Sequence, residues 1–245
     1  MNDAFDLTKP GVWFGSSTCS LRFPDNSDWR DLAEACSQFK KGNFHLRSEL
    51  ADRVYQFQDI EARRVAIFLL MCVADHATLE DIERTANEFS IEDALDFAAL
   101  SLYSLSPVSS RIVKALAEKF QDHESYGVMK HFSDEITRGF TGEKGLFHAY
   151  FWNSKPAFVG DFCLELQAEM KRCRVSNDYF RRVDLATLLS VASGELVPVN
   201  FGQAIELSDV EKIIDYVKRI ASSQTKWMRA HKYFYGFRVS YDATR

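Results

Sequence analysis

Glycine and proline are scarce, eleven and five residues in 245, which excludes collagen-like and low-complexity chains. Long apolar runs are missing too. The longest, from Val65 to Ala74, has ten residues, half of the roughly 20 that a helix needs to cross a bilayer. It reads as a core helix, and no membrane partner is expected. The five cysteines, at 19, 36, 72, 163 and 173, form no C-x-x-C motif. An odd set of this kind suits a reducing compartment better than a disulfide framework. Met1-Asn2-Asp3-Ala4-Phe5-Asp6 lacks the basic start and apolar stretch of a secretory leader, so a cytoplasmic location is expected.

Short catalytic motifs are equally thin. Gly139, Gly142 and Gly145 surround Lys144, yet Glu143 precedes that lysine and a glycine follows it where a phosphate-binding loop needs a hydroxyl residue. No G-x-S-x-G elbow or H-E-x-x-H pair occurs. His131 and Glu135 make an i, i+4 pair but lack a third ligand in register, so no metal or cofactor is expected. Cys173 stands between Arg172 and Arg174, where cations favour a thiolate, but it also falls on an apolar stripe. Asp161, Glu169 and Lys171 echo a metal-nuclease pattern while lying in one helical repeat.

What is present is helical periodicity. Ile91, Ala94, Leu95, Ala98, Leu102 and Leu105 fall on one face, as do Val159, Phe162, Cys163, Leu166, Met170 and Cys173, and again Val210, Ile213, Ile214, Val217, Ile220 and Ala221. The pattern predicts helices near 28–40, 45–57, 60–75, 79–88, 91–105, 109–121, 126–138, 146–153, 157–173, 178–193 and 208–231. Capping signals are read at Thr78, Ser90 and Ser208, each three residues before a carboxylate. Stops are read at Gly42, Pro107, Gly139, Pro156 and Gly194. Strand-like stretches are 12–14, 20–23, 196–199 and 233–239. The expected fold is mainly α, a stack of antiparallel helical hairpins with a few short strands near the termini.

Two helix starts, Thr78-Leu-Glu-Asp and Ser90-Ile-Glu-Asp, share a frame that runs on to Ala86 and Ala98. With Asp59–Leu70, Ala94–Leu100 and Arg111–Glu118, this stretch resembles the helix pairs of HEAT-like solenoids over residues 28–124. The resemblance implies a right-handed array of hairpins and carries no catalytic motif. Its spacing is irregular and shorter than the roughly 40 residues of that repeat.

Charge is unevenly spread. Residues 1–126 hold 13 basic and 21 acidic groups, whereas 127–245 hold 17 and 14. An acidic helical lobe over 1–138 and a mildly basic one over 146–245 with an aromatic C-terminal strand are expected, either separate or continuous. Within the first, Asp75, Glu80, Asp81, Glu83, Glu88, Glu92, Asp93 and Asp96 face only Arg84 over 22 residues. Such a run is either a set of helix-start acids on a solvated face or a field that attracts a basic protein. The latter reading makes the chain a non-enzymatic binding module, an immunity-type inhibitor or an adaptor. The alternative is an RNA or single-stranded DNA binder using Lys171, Arg172, Arg174, Arg181, Arg182, Lys226, Trp227, Arg229, Lys232 and Arg238, with cations for phosphates and rings for bases. The same terminal rings serve equally as core. An overall pI near 5.7 weighs against a dedicated nucleic-acid binder, and an enzyme without short motifs is the third class.

Overall fold

A computed structural model describes residues 26–101, 106–140, 149–153, 155–172, 179–199, 201, 205–223, 227–228 and 231–239. Among these the chain forms ten α-helices and two antiparallel strand pairs. In the first half lie α1 (Ser27–Phe39), α2 (Arg47–Arg53), α3 (Ile60–Val73), α4 (His76–Thr85), α5 (Ile91–Ser101), α6 (Pro107–Lys119) and α7 (Tyr126–Phe140). Short 3₁₀ turns extend α2 over Val54–Gln56 and α4 over Ala86–Glu88. The second half holds β1 (Tyr150–Trp152), β2 (Lys155–Ala157), α8 (Val159–Arg172), α9 (Tyr179–Ser193), α10 (Leu207–Ser222), β3 (Tyr233–Phe234) and β4 (Phe237–Arg238).

Helix starts are set by side chains that satisfy free backbone N–H groups. Asn26 accepts from Trp29 at the head of α1, and Asp59 accepts from Glu61 and Ala62 at the head of α3. The Trp29 indole then donates to Asp59 at 2.8 Å, while Asp28 accepts from the backbone of Gln58 and Asp59. The two helix heads are thereby clipped together. Ser90 and Asp93 form the expected reciprocal cap of α5.

Two other starts lie earlier than expected. Asp75, not Thr78, caps α4, because its carboxylate reaches the Thr78 N–H and hydroxyl at 2.8 and 2.7 Å. Glu206 and Asp209, not Ser208 and Glu211, make the box at α10. Pro107, read as a stop, opens α6, since its missing N–H costs nothing at the first helical position behind the Ser106 cap. Gly139 lies inside the last turn of α7.

The helix expected at 146–153 is replaced at its described end by a strand. Tyr150, Phe151 and Trp152 pair with Ala157, Pro156 and Lys155 across a turn in which Asn153 takes a positive φ of 52°. Pro156 therefore sits in an edge strand, where its absent donor is tolerated. Helix α10 ends at Ser222, well short of 231, and no strand forms over 196–199. The candidate strands at 12–14 and 20–23 lie outside the described residues.

The first seven helices pack in two rows. In one, α1 meets α3, α3 meets α5 and α5 meets α7; in the other, α2 meets α4 and α4 meets α6. Helix α3 lies deepest, every residue from Val65 to Val73 being buried. In the second half α8 packs against both α9 and α10, and β2 bridges α7 to α8. Buried side chains from both halves belong to one connected core.

The C-terminal hairpin joins the halves. Tyr235 and Gly236, at φ 50° and 79°, form the two-residue turn between β3 and β4, the left-handed geometry that matches strand twist. Their N–H groups donate to Val191 and Ala192 at 2.7 and 2.9 Å, capping the end of α9. On the opposite side the Phe234 ring packs edge-on against Phe39 and Phe44. Phe237 lies over Gly42, whose φ is +78°, and a Cβ built there would fall 2.5 Å from that ring. Gly42→Ala is therefore expected to destabilise the chain by about 1–3 kcal/mol, through backbone strain and displacement of Phe237. Urea unfolding monitored by circular dichroism reads this as a lower midpoint with an unchanged slope.

Candidate functional site

The acidic run is not a bare field. Asp75 is buried and bonded to Arg47, with side chains only 6% and 10% exposed. Asp93 pairs with Arg63 at 2.5 Å, Asp96 with Arg64 at 2.8 Å, and Glu83 receives both arms of Arg111 at 2.6 and 2.9 Å. The Arg111 contact holds the Glu83 carboxyl below its ordinary range despite partial burial. Asp81 pairs with Arg84, and Glu80 lies 3.2 Å from the His76 ring. Four of these partners, Arg47, Arg63, Arg64 and Arg111, come from helices outside the run. The acids thus tie neighbours in the two rows together. Only Glu88 and Glu92 are exposed without an ion pair among the described residues.

These two glutamates have company. Lys119 at the end of α6 donates to the Asn87 and Phe89 carbonyls at 2.7 and 2.8 Å. That contact brings the α6–α7 turn against the 3₁₀ turn after α4. Glu118, Asp122 and Glu124 in and beside that turn are exposed, and none makes an ion pair among the described residues. The Tyr55 and Phe89 rings stack at 3.9 Å, placing the end of α2 at the same end of the rows. There, a cavity of about 100 Å³ between α1 and α2 is lined by Asp31, Glu34, Glu49 and Arg53 over Ala35, Leu46, Leu50 and Phe57. Arg53 bonds Asp31 and lies 3.8 Å from Glu49.

The alternative basic set is only partly on the surface. Lys171, Arg172 and Arg238 are exposed. Arg182 is 8% exposed, and Lys232 is buried at 1%. The Lys232 ammonium donates to the Met71 carbonyl and lies 4.7 Å over the Tyr150 ring. Trp227 stacks edge-on against Tyr233 and donates to the Ile220 carbonyl. Tyr233 and Phe234 are core, Trp227 and Tyr235 pack against it, and Phe237 is exposed, while the Lys232 ammonium is enclosed. Arg174, Lys226 and Arg229 lie outside the described residues, and the Arg181 side chain is not described.

Burial pushes the thiols of Cys36, Cys72 and Cys163 up to about 12, so these cysteines are inert as nucleophiles near neutrality. Cys173 lies outside the described residues. Among the described residues no group of three or more His, Cys, Asp or Glu is placed to hold a metal ion, and no helix is long and apolar enough to cross a membrane.

A second concavity was not anticipated from the sequence. A groove of about 1110 Å³ runs between α8, α10 and the stretch around Trp227, Met228, His231 and Tyr233. Its walls carry Leu164 and Met228, 68% and 55% exposed. The signal in the sequence was Leu164 itself, an apolar residue off the stripe of Val159, Phe162, Cys163 and Leu166. Comparison with family models, curated proteins and solved structures finds no match to this chain.

Burial lowers the Lys232 ammonium to about 8 from its ordinary 10.5. Below pH about 8 both folded and unfolded chains carry the charge, and the folded state bears its full desolvation cost. As pH rises from about 8 to 10.5 the folded state loses its proton first, so stability increases across that window. Urea unfolding from pH 7 to 10.5 is expected to show this rise in the wild type and to lack its Lys232 component in Lys232→Met. Equal slopes in the two proteins would contradict the assignment.

Proposed function

We propose that this chain is a non-enzymatic protein-binding module, of inhibitor or adaptor type, that recognises a basic partner through the acidic end of its helical rows. The observation that supports this most directly is the gathering of Glu88, Glu92, Glu118, Asp122 and Glu124, exposed and without ion pairs, where the turns of α4–α5 and α6–α7 meet. Lys119, next to Glu118 in sequence, donates to two carbonyls. Unpaired rim charges of one sign act over about a Debye length, roughly 10 Å at 0.1 M salt, and accelerate capture of an oppositely charged protein. The cavity between α1 and α2 adds a place for a lysine or arginine from the partner, its apolar floor suiting the stem and its carboxylates the head.

The scaffold fits a binding role. Helices of one row start at residues 27, 60, 91 and 126, and those of the other at 47, 76 and 107. Bonds between row neighbours, such as Arg63 to Asp93, Arg64 to Asp96 and Arg111 to Glu83, span 28 to 32 residues. We read this as a hairpin repeat of about 31 residues, shorter than that of HEAT-like arrays, which presents its turns as a continuous edge. The nucleic-acid reading has less support, because Lys232, Tyr233 and Phe234 are committed to the interior.

Immobilised wild-type protein is expected to retain basic proteins from lysate at about 50 mM salt and to release them at about 300 mM. The triple reversal Glu88→Lys, Glu92→Lys, Asp122→Lys is expected to reduce that recovery about tenfold, while Glu211→Lys on α10 leaves it unchanged. An identical profile for the triple variant, or loss of recovery on nuclease treatment, would overturn the proposal.

A further inference from the structure

The groove beside α8 and α10 is lined by residues of the basic half and differs from the acidic turns in chemistry. We propose that it is a docking site for an amphipathic helix of a partner protein whose apolar ridge is flanked by acidic residues. The inference is independent of the acidic-end reading.

The shape favours a helix. One wall is α8, which contributes Val159, Gly160, Cys163, Leu164 and Gln167, steps of three and four along two turns; the other is α10, contributing Val217, Lys218 and Ala221 at the same spacing. Two helices side by side with such ridges accept a third between them. Gly160 adds no bulk: a Cβ there would meet nothing within 4 Å. Cys163, Val217 and Tyr233 form a buried floor, while Leu164 and Met228 stand out from it. A volume of about 1110 Å³ exceeds the roughly 300–1,000 Å³ of small-ligand pockets, and methionine adapts to varied apolar ridges.

The charges on its lining select the sign of the partner. Lys155 is exposed and has no ion pair among the described residues. Lys218 touches Asp215 at 3.7 Å, with both side chains at least 69% exposed, an association of little strength. The carboxylate on the lining, Asp161, is engaged by the Phe158 N–H at 2.9 Å. His231 completes the set of titratable side chains around the groove, apart from the floor groups Cys163 and Tyr233. Two available ammonium groups beside an apolar cleft favour glutamates or aspartates flanking leucine-type anchors.

The test uses the full chain and a fluorescein-labelled synthetic helix of about 18 residues, with Leu at i, i+4, i+7 and i+11 and Glu on both flanks. A matched helix with Lys for Glu, and oleate, serve as alternatives. The acidic helix is expected to raise fluorescence polarisation with a Kd of about 1–50 µM. Leu164→Glu and Met228→Glu should each weaken binding about tenfold or more, and Lys155→Glu with Lys218→Glu should weaken it and reduce its salt dependence. All four positions are exposed, so circular dichroism should stay native; Gly160→Leu, which fills the groove, offers a second block. No binding at about 100 µM, equal binding of the lysine helix, unaffected variants, or oleate binding in place of the helix would each overturn the proposal. The Glu88, Glu92, Asp122 reversal leaves this measurement unchanged, so failure of one site is distinguishable from failure of the other.

Discussion

A helix buried at its C-terminal end must find donors for its last carbonyls, because water cannot reach them. Helix α3 is such an element, and the rest of the molecule is arranged around its C-terminal end. Lys232 donates to the Met71 carbonyl and Arg47 lies 3.5 Å from the Val73 carbonyl. Two cations at the negative end of a helix dipole are favourably placed. Each is then held by something else: Arg47 by Asp75, which also caps α4, and Lys232 by the Tyr150 ring. One buried helix end thus links α2, α4, β1 and β3.

This arrangement explains why the C-terminal hairpin is interior rather than surface. Lys232 can reach Met71 only if the hairpin that follows it is inserted between the halves. The hairpin satisfies its own groups in doing so, since Tyr150 donates its hydroxyl to the Tyr233 carbonyl at 2.6 Å and the turn amides close α9. Its rings fill the space left between α1 and α9. A buried ammonium is costly, and the lowered Lys232 pKa is the measure of that cost. The lysine serves there because its amine, charged or neutral, supplies the donor that the Met71 carbonyl would otherwise lack at the centre of the core.

Much of the helical framework was legible in the sequence, since stripes such as Val210, Ile213, Ile214 and Val217 have few other uses. Helix starts were less so: Asp75 and Thr78, or Glu206 and Ser208, are all competent caps, and tertiary contacts decide among them. Asp75 wins because Arg47 awaits it. Tyr150–Trp152 misled because an aromatic triplet fits a helix face or a strand equally well. The pairing within the acidic run was hidden for a different reason. Its counter-charges sit about 30 residues upstream or downstream, beyond any local window, and only the recurrence of helix starts near that spacing would have disclosed them. The burial of Lys232, 161 residues from its acceptor, had no local signal.

Pairing changes what the net charge means. Residues 26–126 still hold 18 acidic and 11 basic groups, so using arginines from α2, α3 and α6 to bind the run leaves the surplus on acids that have no partner. Among them Glu88, Glu92, Glu118, Asp122 and Glu124 lie in turns or in the adjoining helix ends, while the row-to-row contacts consume cations along the helix sides. The opposite half has the reverse imbalance. An apolar cleft there, with ammonium groups on its lining, would be a liability for self-association if the acidic end carried exposed apolar anchors. The large apolar side chains exposed there, Ile60 at the head of α3 and Val128 at the head of α7, stand on different helices and so make no continuous ridge for the groove to seat. On the two proposals together, one molecule would offer two unlike surfaces that do not satisfy each other.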